Sequence, residues 1–196
     1  RMLGLFHQEA LGALSADMSE AVSSMVKSNS NLLQMVNTLL EVYRHDAGSK
    51  TLTFVPCNLR DIVDEVIHEL SPLARERGLT LIAEIDKSKT AKSGDQQITA
   101  TVMGDRMELR RVLTNLVGNA IKFTDTGWVK VRLVEPLAIN SATNSILTVP
   151  SVMLEVSDSG TGIALEEQQT LFKRFRQGNH KRSGSGLGLY LSRRII

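Results

Sequence analysis

Met18, Val22, Met25, Asn29, Leu32, Val36, Leu39 and Tyr43 follow one another at steps of 4, 3, 4, 3, 4, 3 and 4. More than three heptads of such spacing fix a long helix and an apolar seam that one helix cannot bury alone. Val26, Leu33 and Leu40 add a row at seven-residue intervals. The wider face suits a helical bundle better than a two-stranded coil. Ser15 is placed to cap the start, with Asp17 and Glu20 in the first turn, where the helix dipole favours acids. Gly48 stops the helix. Its length is about 30 residues, or roughly 45 Å. Asn29 is a polar residue on the seam, of the kind that fixes register. Only 14 residues precede Ser15, and Leu3, Leu5, Phe6 and Leu11 read as the end of a partner helix turning near Gly12. The pattern predicts a homodimeric bundle, against the plainer alternative of a helix packed on its own domain.

Composition narrows the rest. No stretch of the 196 residues approaches the roughly 20 apolar residues of a membrane span, and residues 1–14 lack the pattern of a signal peptide. The single cysteine, Cys57, excludes an internal disulfide framework and a cysteine-built zinc site, and points to a reducing, cytoplasmic compartment. Eight aromatics spread along the chain give no stacking platform for single-stranded nucleic acid. Charge is uneven. Residues 171–196 hold seven of the 23 Lys+Arg and no acid, so the remainder carries 16 basic against 21 acidic residues, a net of −5. A basic tail on an acidic body predicts a polyanion site near the C-terminal end.

Beyond Gly48 the predicted order is a strand at 52–55 ended by Pro56, a helix capped by Asn58 and stopped by Gly78, strands at 79–85 and 98–103, and a helix capped by Asp105 and running to about Lys122. A strand at 128–134, an irregular loop at 136–150, a buried strand at 152–156, a short helix at 165–175 and a last helix from Gly186 complete it. The fold class is α+β: a helical hairpin remnant over 1–50, then over 51–196 a two-layer α/β sandwich with a mixed sheet and helices on one face.

Three clusters carry chemistry. Asn115, Asn119 and Lys122 stand at i, i+4 and i+7, so they share a helix face, while Val112, Leu116 and Ile121 are free to hold the core. Amide oxygens and one lysine suit a Mg²⁺–polyphosphate group, because magnesium takes few protein ligands and keeps waters and phosphates. Next, Asp158, Gly160 and Gly162 follow an apolar strand. The glycines let a flat ligand approach the backbone, and the carboxylate can accept from an exocyclic amine of adenine. Finally, Ser183, Gly184, Gly186, Leu187 and Gly188 lead into the last helix, where exposed backbone N–H groups suit phosphate, with Lys181 and Arg182 just upstream. No strand immediately precedes them and no Gly-Lys-Ser/Thr ending follows, so they form neither a dinucleotide fingerprint nor a P-loop. Each cluster alone also reads as an ordinary polar face, a tight turn or a linker.

In this order, with Phe172 and Phe175 between the second and third clusters, they resemble the N, G1, F and G2 boxes of the sensor histidine kinases, within the ATPase superfamily shared with gyrase and related chaperones. The segment 32–40 resembles the second helix of their dimerisation domain. The resemblance implies a Bergerat-type ATP-binding fold with ATP and Mg²⁺ as cofactors. It implies Asn119 as a metal ligand, Asn115 near the same phosphates and Lys122 on a phosphate. Asp158 would bind the adenine amine, with Gly160 and Gly162 shaping the pocket. Phe172 and Phe175 would pack the base of a lid at 177–185, with Lys181 and Arg182 within reach of the phosphates. Ser183, Gly184, Gly186, Leu187 and Gly188 would serve the phosphates. Hydrolytic relatives place a glutamate where Asn115 stands, and an amide cannot act as general base to water. That favours transfer of the γ-phosphoryl to a histidine over hydrolysis.

None of His7, His45, His68 and His180 has the family's acceptor context, so the acceptor is expected upstream of this chain and a further strand downstream of it. A response regulator is the implied partner, nucleic acid is not, and membrane attachment, where there is any, would run through upstream segments. A protein-serine kinase of the same superfamily and a non-catalytic nucleotide-sensing dimerisation module are the competing readings.

Overall fold

A computed structural model describes residues 15–85, 100–134, 139–140, 145–146, 152–176 and 185–196. The chain divides into two compact units, residues 1–50 and 51–196.

The first unit is built on helix α1, Ala16–Asp46. Ser15 caps it, its hydroxyl oxygen accepting from the Met18 N–H at 3.3 Å. Gly48, at φ +62°, leaves the helix in the left-handed conformation that glycine adopts without strain. Near its end Glu41 accepts from Lys50 at 2.6 Å and pairs with Arg44 at 3.4 Å. The seam stands open: Met18, Met25, Leu32, Val36, Leu39 and Tyr43 are exposed, from 43% at Leu39 to 72% at Tyr43. Asn29, Val26, Leu33 and Leu40 are exposed beside them. Among the described residues no helix is long and apolar enough to cross a membrane.

The second unit begins with strand β1, Val55–Asn58, paired antiparallel with β3, Thr101–Gly104. The strand expected at 52–55 therefore lies three residues later and runs through Pro56. β1 pairs with β3 alone, and proline is tolerated where a strand has an unpaired edge. Asn58 caps helix α2, Leu59–Glu76, accepting from the Arg60 N–H at 3.0 Å. Gly78, at φ +68°, turns the chain into β2, Leu79–Ile85. Asp105 caps helix α3, Arg106–Phe123, its Oδ1 accepting from the N–H groups of Met107 and Glu108 at 3.0 and 3.2 Å.

β4, Gly127–Val134, pairs parallel with β2 and antiparallel with β7, Met153–Asp158, giving the mixed order β2-β4-β7. Val129, Val131 and Leu133 alternate along β4 and are buried, forming a core with Ile62, Val63 and Val66 of α2 and Leu113, Val117 and Ile121 of α3. The helical layer and the mixed sheet match the expected class. Further details differ, and β3 runs to Gly104 and starts after Ala100 rather than at 98. The loop at 136–150 contains two short paired strands, β5 (Ile139–Asn140) and β6 (Ser145–Ile146). β7 starts one residue late, reaches Asp158 and is half-buried rather than buried, because it pairs on one edge only. The short helix α4 covers Leu165–Gln168 alone, with turns to Arg176. The last helix, α5, is Gly188–Ile195 and starts two residues after Gly186.

Ion pairs tie α2 to α3: Arg106 to Glu65 at 2.6 Å, and Arg110 to Glu69. The hydrogen bond from Arg106 holds the Glu65 carboxyl below its ordinary pKa, outweighing desolvation, which acts the other way. A depressed folded pKa means stability present above the unfolded value and lost as pH falls through the folded one. Both groups are exposed, so salt screens the effect. Glu65→Gln should therefore flatten the acid limb of a Tm-against-pH profile at low salt and leave neutral and alkaline readings in parallel.

Candidate functional site

α3 carries the first cluster and meets the described parts of the other two. Asn115, Asn119 and Lys122 are half-buried on one face. The core face differs from expectation: Val112 and Ile121 are buried, but Leu116 is only half-buried, and Leu113 and Val117 take its place. Packing between the sheet and α2 rotates the buried arc onto those two positions.

Asn115 uses both ends of its amide. Its Nδ2 donates to the Ser192 Oγ of α5 at 2.9 Å, and its Oδ1 accepts from the Asn119 Nδ2 at 3.5 Å. Gly188 lies against it so closely that an added Cβ would stand 2.2 Å from that Oδ1. The start of the last helix is thus seated on Asn115. Asn119 spends its amide N–H on Asn115, which leaves its carbonyl oxygen as the acceptor of the face, in the amide orientation the hydrogen bonds select. One neutral oxygen with a lysine a turn away fits magnesium that is otherwise held by water and phosphate. Lys122 places its ammonium 5.0 Å from the Phe123 ring. Arg77, after α2, donates to the carbonyls of Ile121 and Lys122 at 3.4 and 3.2 Å, tying down the C-terminal turn beside it.

The Asp158 turn rests on the same end of α3. The Gly160 N–H donates to the Asp158 Oδ1 at 2.8 Å, and Asp158 is exposed. A Cβ on Gly160 would meet that oxygen at 2.7 Å, the Phe123 carbonyl at 3.0 Å and the Thr124 hydroxyl at 3.3 Å. Ser159 anchors the turn to β4, accepting from the Trp128 N–H at 2.9 Å. Gly162, at φ +72°, has open space around it. Thr124, 1% exposed, has no hydrogen-bond partner for its hydroxyl among the described residues.

Of the third cluster, Gly186, Leu187 and Gly188 are described, while Lys181, Arg182, Ser183 and Gly184 lie outside the described residues. Gly186 has φ +66°, and a Cβ there would lie 2.7 Å from both the Phe175 carbonyl carbon and the Arg176 oxygen. Leu187 is fully buried and anchors the approach to α5. The Phe172 and Phe175 rings are exposed, and it is the backbone after Phe175 that meets Gly186. Phe175 itself has φ +57°. Of the histidines, His45 lies in the last turn of α1 and His68 on α2, while His7 and His180 fall outside the described residues.

Thr124, Arg77 and Ser192 support these clusters and stand outside the three motifs. Thr124 was reachable in principle, since it directly follows the Lys122–Phe123 end of the first cluster. The other two act through contacts 44 and 77 residues distant.

Comparison with known proteins places the chain beside the following relatives. Residues 104–196 match the family described as histidine kinase-, DNA gyrase B-, and HSP90-like ATPase. The chain is 31% identical over 179 residues to the signal transduction histidine-protein kinase BarA of Escherichia coli (strain K12), covering 89% of this chain and 18% of BarA. It is 30% identical over 200 residues to the sensor protein GacS of Pseudomonas syringae pv. syringae, covering 100% of this chain and 20% of GacS. The chain thus spans only 18 to 20% of the length of these curated relatives. Among solved structures, full-length ShkA in complex with AMPPNP is similar with a TM-score of 0.72 at 26% identity, over 98% of this chain and 36% of that one. The nucleotide-free catalytic domain of the histidine kinase ThkA gives a TM-score of 0.55 at 26% identity, over 74% of this chain and 81% of that one.

Proposed function

We propose that the chain, whose residues 104–196 match the histidine kinase-, DNA gyrase B-, and HSP90-like ATPase family, is the ATP-binding, phosphoryl-transferring part of a sensor histidine kinase. The observation that carries this reading is the seating of both glycine clusters on α3, Gly160 at its C-terminal end and Gly188 on Asn115. In this reading Asp158 accepts from the adenine amine, with Gly160 and Gly162 giving the base access to the backbone. Lys122 contacts phosphate, and the Asn119 oxygen is the protein's ligand to Mg²⁺, which supplies charge neutralisation on the phosphates. Backbone N–H groups around Gly186, Leu187 and Gly188 hold the phosphates, joined by Lys181, Arg182, Ser183 and Gly184. Asn115 positions α5 rather than binding directly. With an amide at that position, water lacks a general base. The γ-phosphorus is instead attacked by an imidazole nitrogen, the bond to the β,γ-bridging oxygen breaks, and ADP leaves.

The exposed seam of α1 supports a homodimer. Burying six such side chains contributes on the order of 10 kcal/mol, which covers a substantial part of the cost of association. A response regulator as the next phosphoryl acceptor, and a cytoplasmic location, complete the reading. Its test is incubation of the chain, with γ-labelled ATP and Mg²⁺, alongside a separately supplied acceptor-helix fragment. Acid-labile label on histidine is expected. Nucleotide binding without transfer would support a sensing module instead, and label on serine the protein-serine kinase.

Two substitutions probe the purine end. Asp158→Asn should weaken an ATP analogue by about 1.5–3 kcal/mol, a charge-assisted hydrogen bond, with the fold intact. Calorimetry that finds unchanged affinity removes Asp158 from the site. Thr124→Val keeps the shape and deletes a buried hydroxyl that no group among the described residues satisfies. The empty protein should therefore gain about 1 kcal/mol or more, a rise of roughly 2–4 °C in Tm. If the hydroxyl serves the nucleotide, affinity falls in the same variant.

A further inference from the structure

Lys173, Arg174, Arg193 and Arg194 belong to the basic C-terminal stretch, yet none has a part in the nucleotide site. Together with Phe172 and Tyr190 they line a cleft of about 430 Å³ between the turns after α4 and the outer side of α5, with no carboxylate in its lining among the described residues. Leu187, Leu191 and Ser192 are the buried side of α5, and Ser192 faces Asn115. Tyr190, Arg193 and Arg194 fall on other sides of the helix, so the cleft opens away from the Asn115–Asn119 face.

Two cation–aromatic pairs cross it in opposite senses. The Arg174 guanidinium lies 4.8 Å from the Tyr190 ring centre and donates to the Tyr190 hydroxyl at 2.9 Å. The Arg193 guanidinium lies 5.7 Å from the Phe172 ring centre. Ring contacts of this kind hold an arginine in place, and a guanidinium is the cation best shaped to grip a carboxylate. Phe172 also leaves 42% of its surface exposed. A free anion would suit Lys173 and Arg193 but not the ring.

We propose that this cleft docks an acidic segment of a partner protein, one carrying glutamates or aspartates around an apolar anchor residue. Clustered arginines and aromatics are the composition of residues that dominate protein interfaces. The inference is independent of the nucleotide reading, because nucleotide affinity is measured separately in the same test.

The probe is a fluorescent synthetic peptide of four glutamates flanking one leucine, titrated into the whole chain and followed by anisotropy. Its affinity should fall as salt rises. Replacing the glutamates by glutamine, or the leucine by glycine, should each weaken it about fivefold or more. Lys173→Glu should weaken it about fivefold while leaving both ring–guanidinium pairs in place and AMPPNP affinity within about twofold of the parent. Arg193→Glu should act in the same direction. Equal binding of the glutamine peptide, or no effect of either charge reversal, overturns the proposal. Equal binding of the glycine peptide, with displacement by tripolyphosphate, overturns it in favour of a small-anion site.

Discussion

Gly186→Ala should cost about 3 kcal/mol of stability, from left-handed strain of roughly 1–2 kcal/mol and overpacking of about 1–3 kcal/mol. In a chain of this size that lowers Tm by roughly 6–12 °C. Both sources are visible: φ is +66°, and the new methyl would meet the Phe175 and Arg176 backbone at 2.7 Å. Backbone cannot swing aside as a side-chain end can, so the segment leading into α5 must shift. ATP-analogue affinity should fall with it, because Leu187 and Gly188 move together. Two other glycines serve as controls. Gly162→Ala meets open space and suffers only its φ of +72°. Gly118→Ala, inside α3 with nothing within 4 Å, should stabilise by about 0.5–1 kcal/mol. Calorimetric unfolding of the three variants checks the ranking, and an equal loss at Gly118 would contradict the packing described.

Asn119→Ala should remove the magnesium-dependent part of triphosphate binding, a loss of tenfold or more, with little change in Tm. The oxygen of this half-buried amide is the one directed away from Asn115. Asn115→Ala should show the reverse balance. It strands the buried Ser192 hydroxyl, which costs about 1–3 kcal/mol of stability, and it weakens nucleotide only through α5. Titrating AMPPNP with Mg²⁺ and with EDTA separates the two. If Asn119→Ala loses equal affinity in both, its amide supports structure and not the ion.

The contrast between these two asparagines marks what a sequence can carry. Their shared face follows from spacing alone, as do the caps at Ser15, Asn58 and Asp105, because a helix and its first hydrogen bonds are local. The division of labour does not. It depends on Ser192, 77 residues away, and on the close approach of Gly188. For the same reason β1 was placed three residues early: Pro56 reads as a strand end unless the strand is known to have an edge. Leu116 and Val117 are neighbours of equal apolarity, and only the direction of α2 and the sheet chooses between them. The cluster Lys181, Arg182, Ser183 and Gly184 was legible as chemistry, but lies outside the described residues.

The central claim is that adenine, phosphates and Mg²⁺ are bound along α3. Amide NMR of the chain titrated with AMPPNP and Mg²⁺ tests it most directly. Shifts should concentrate at Asn119 to Thr124, Asp158 to Gly162 and Gly186 to Gly188, and spare the seam around Leu32 and the Glu65 face of α2. Shifts confined to other regions, or none at millimolar nucleotide, would contradict the account.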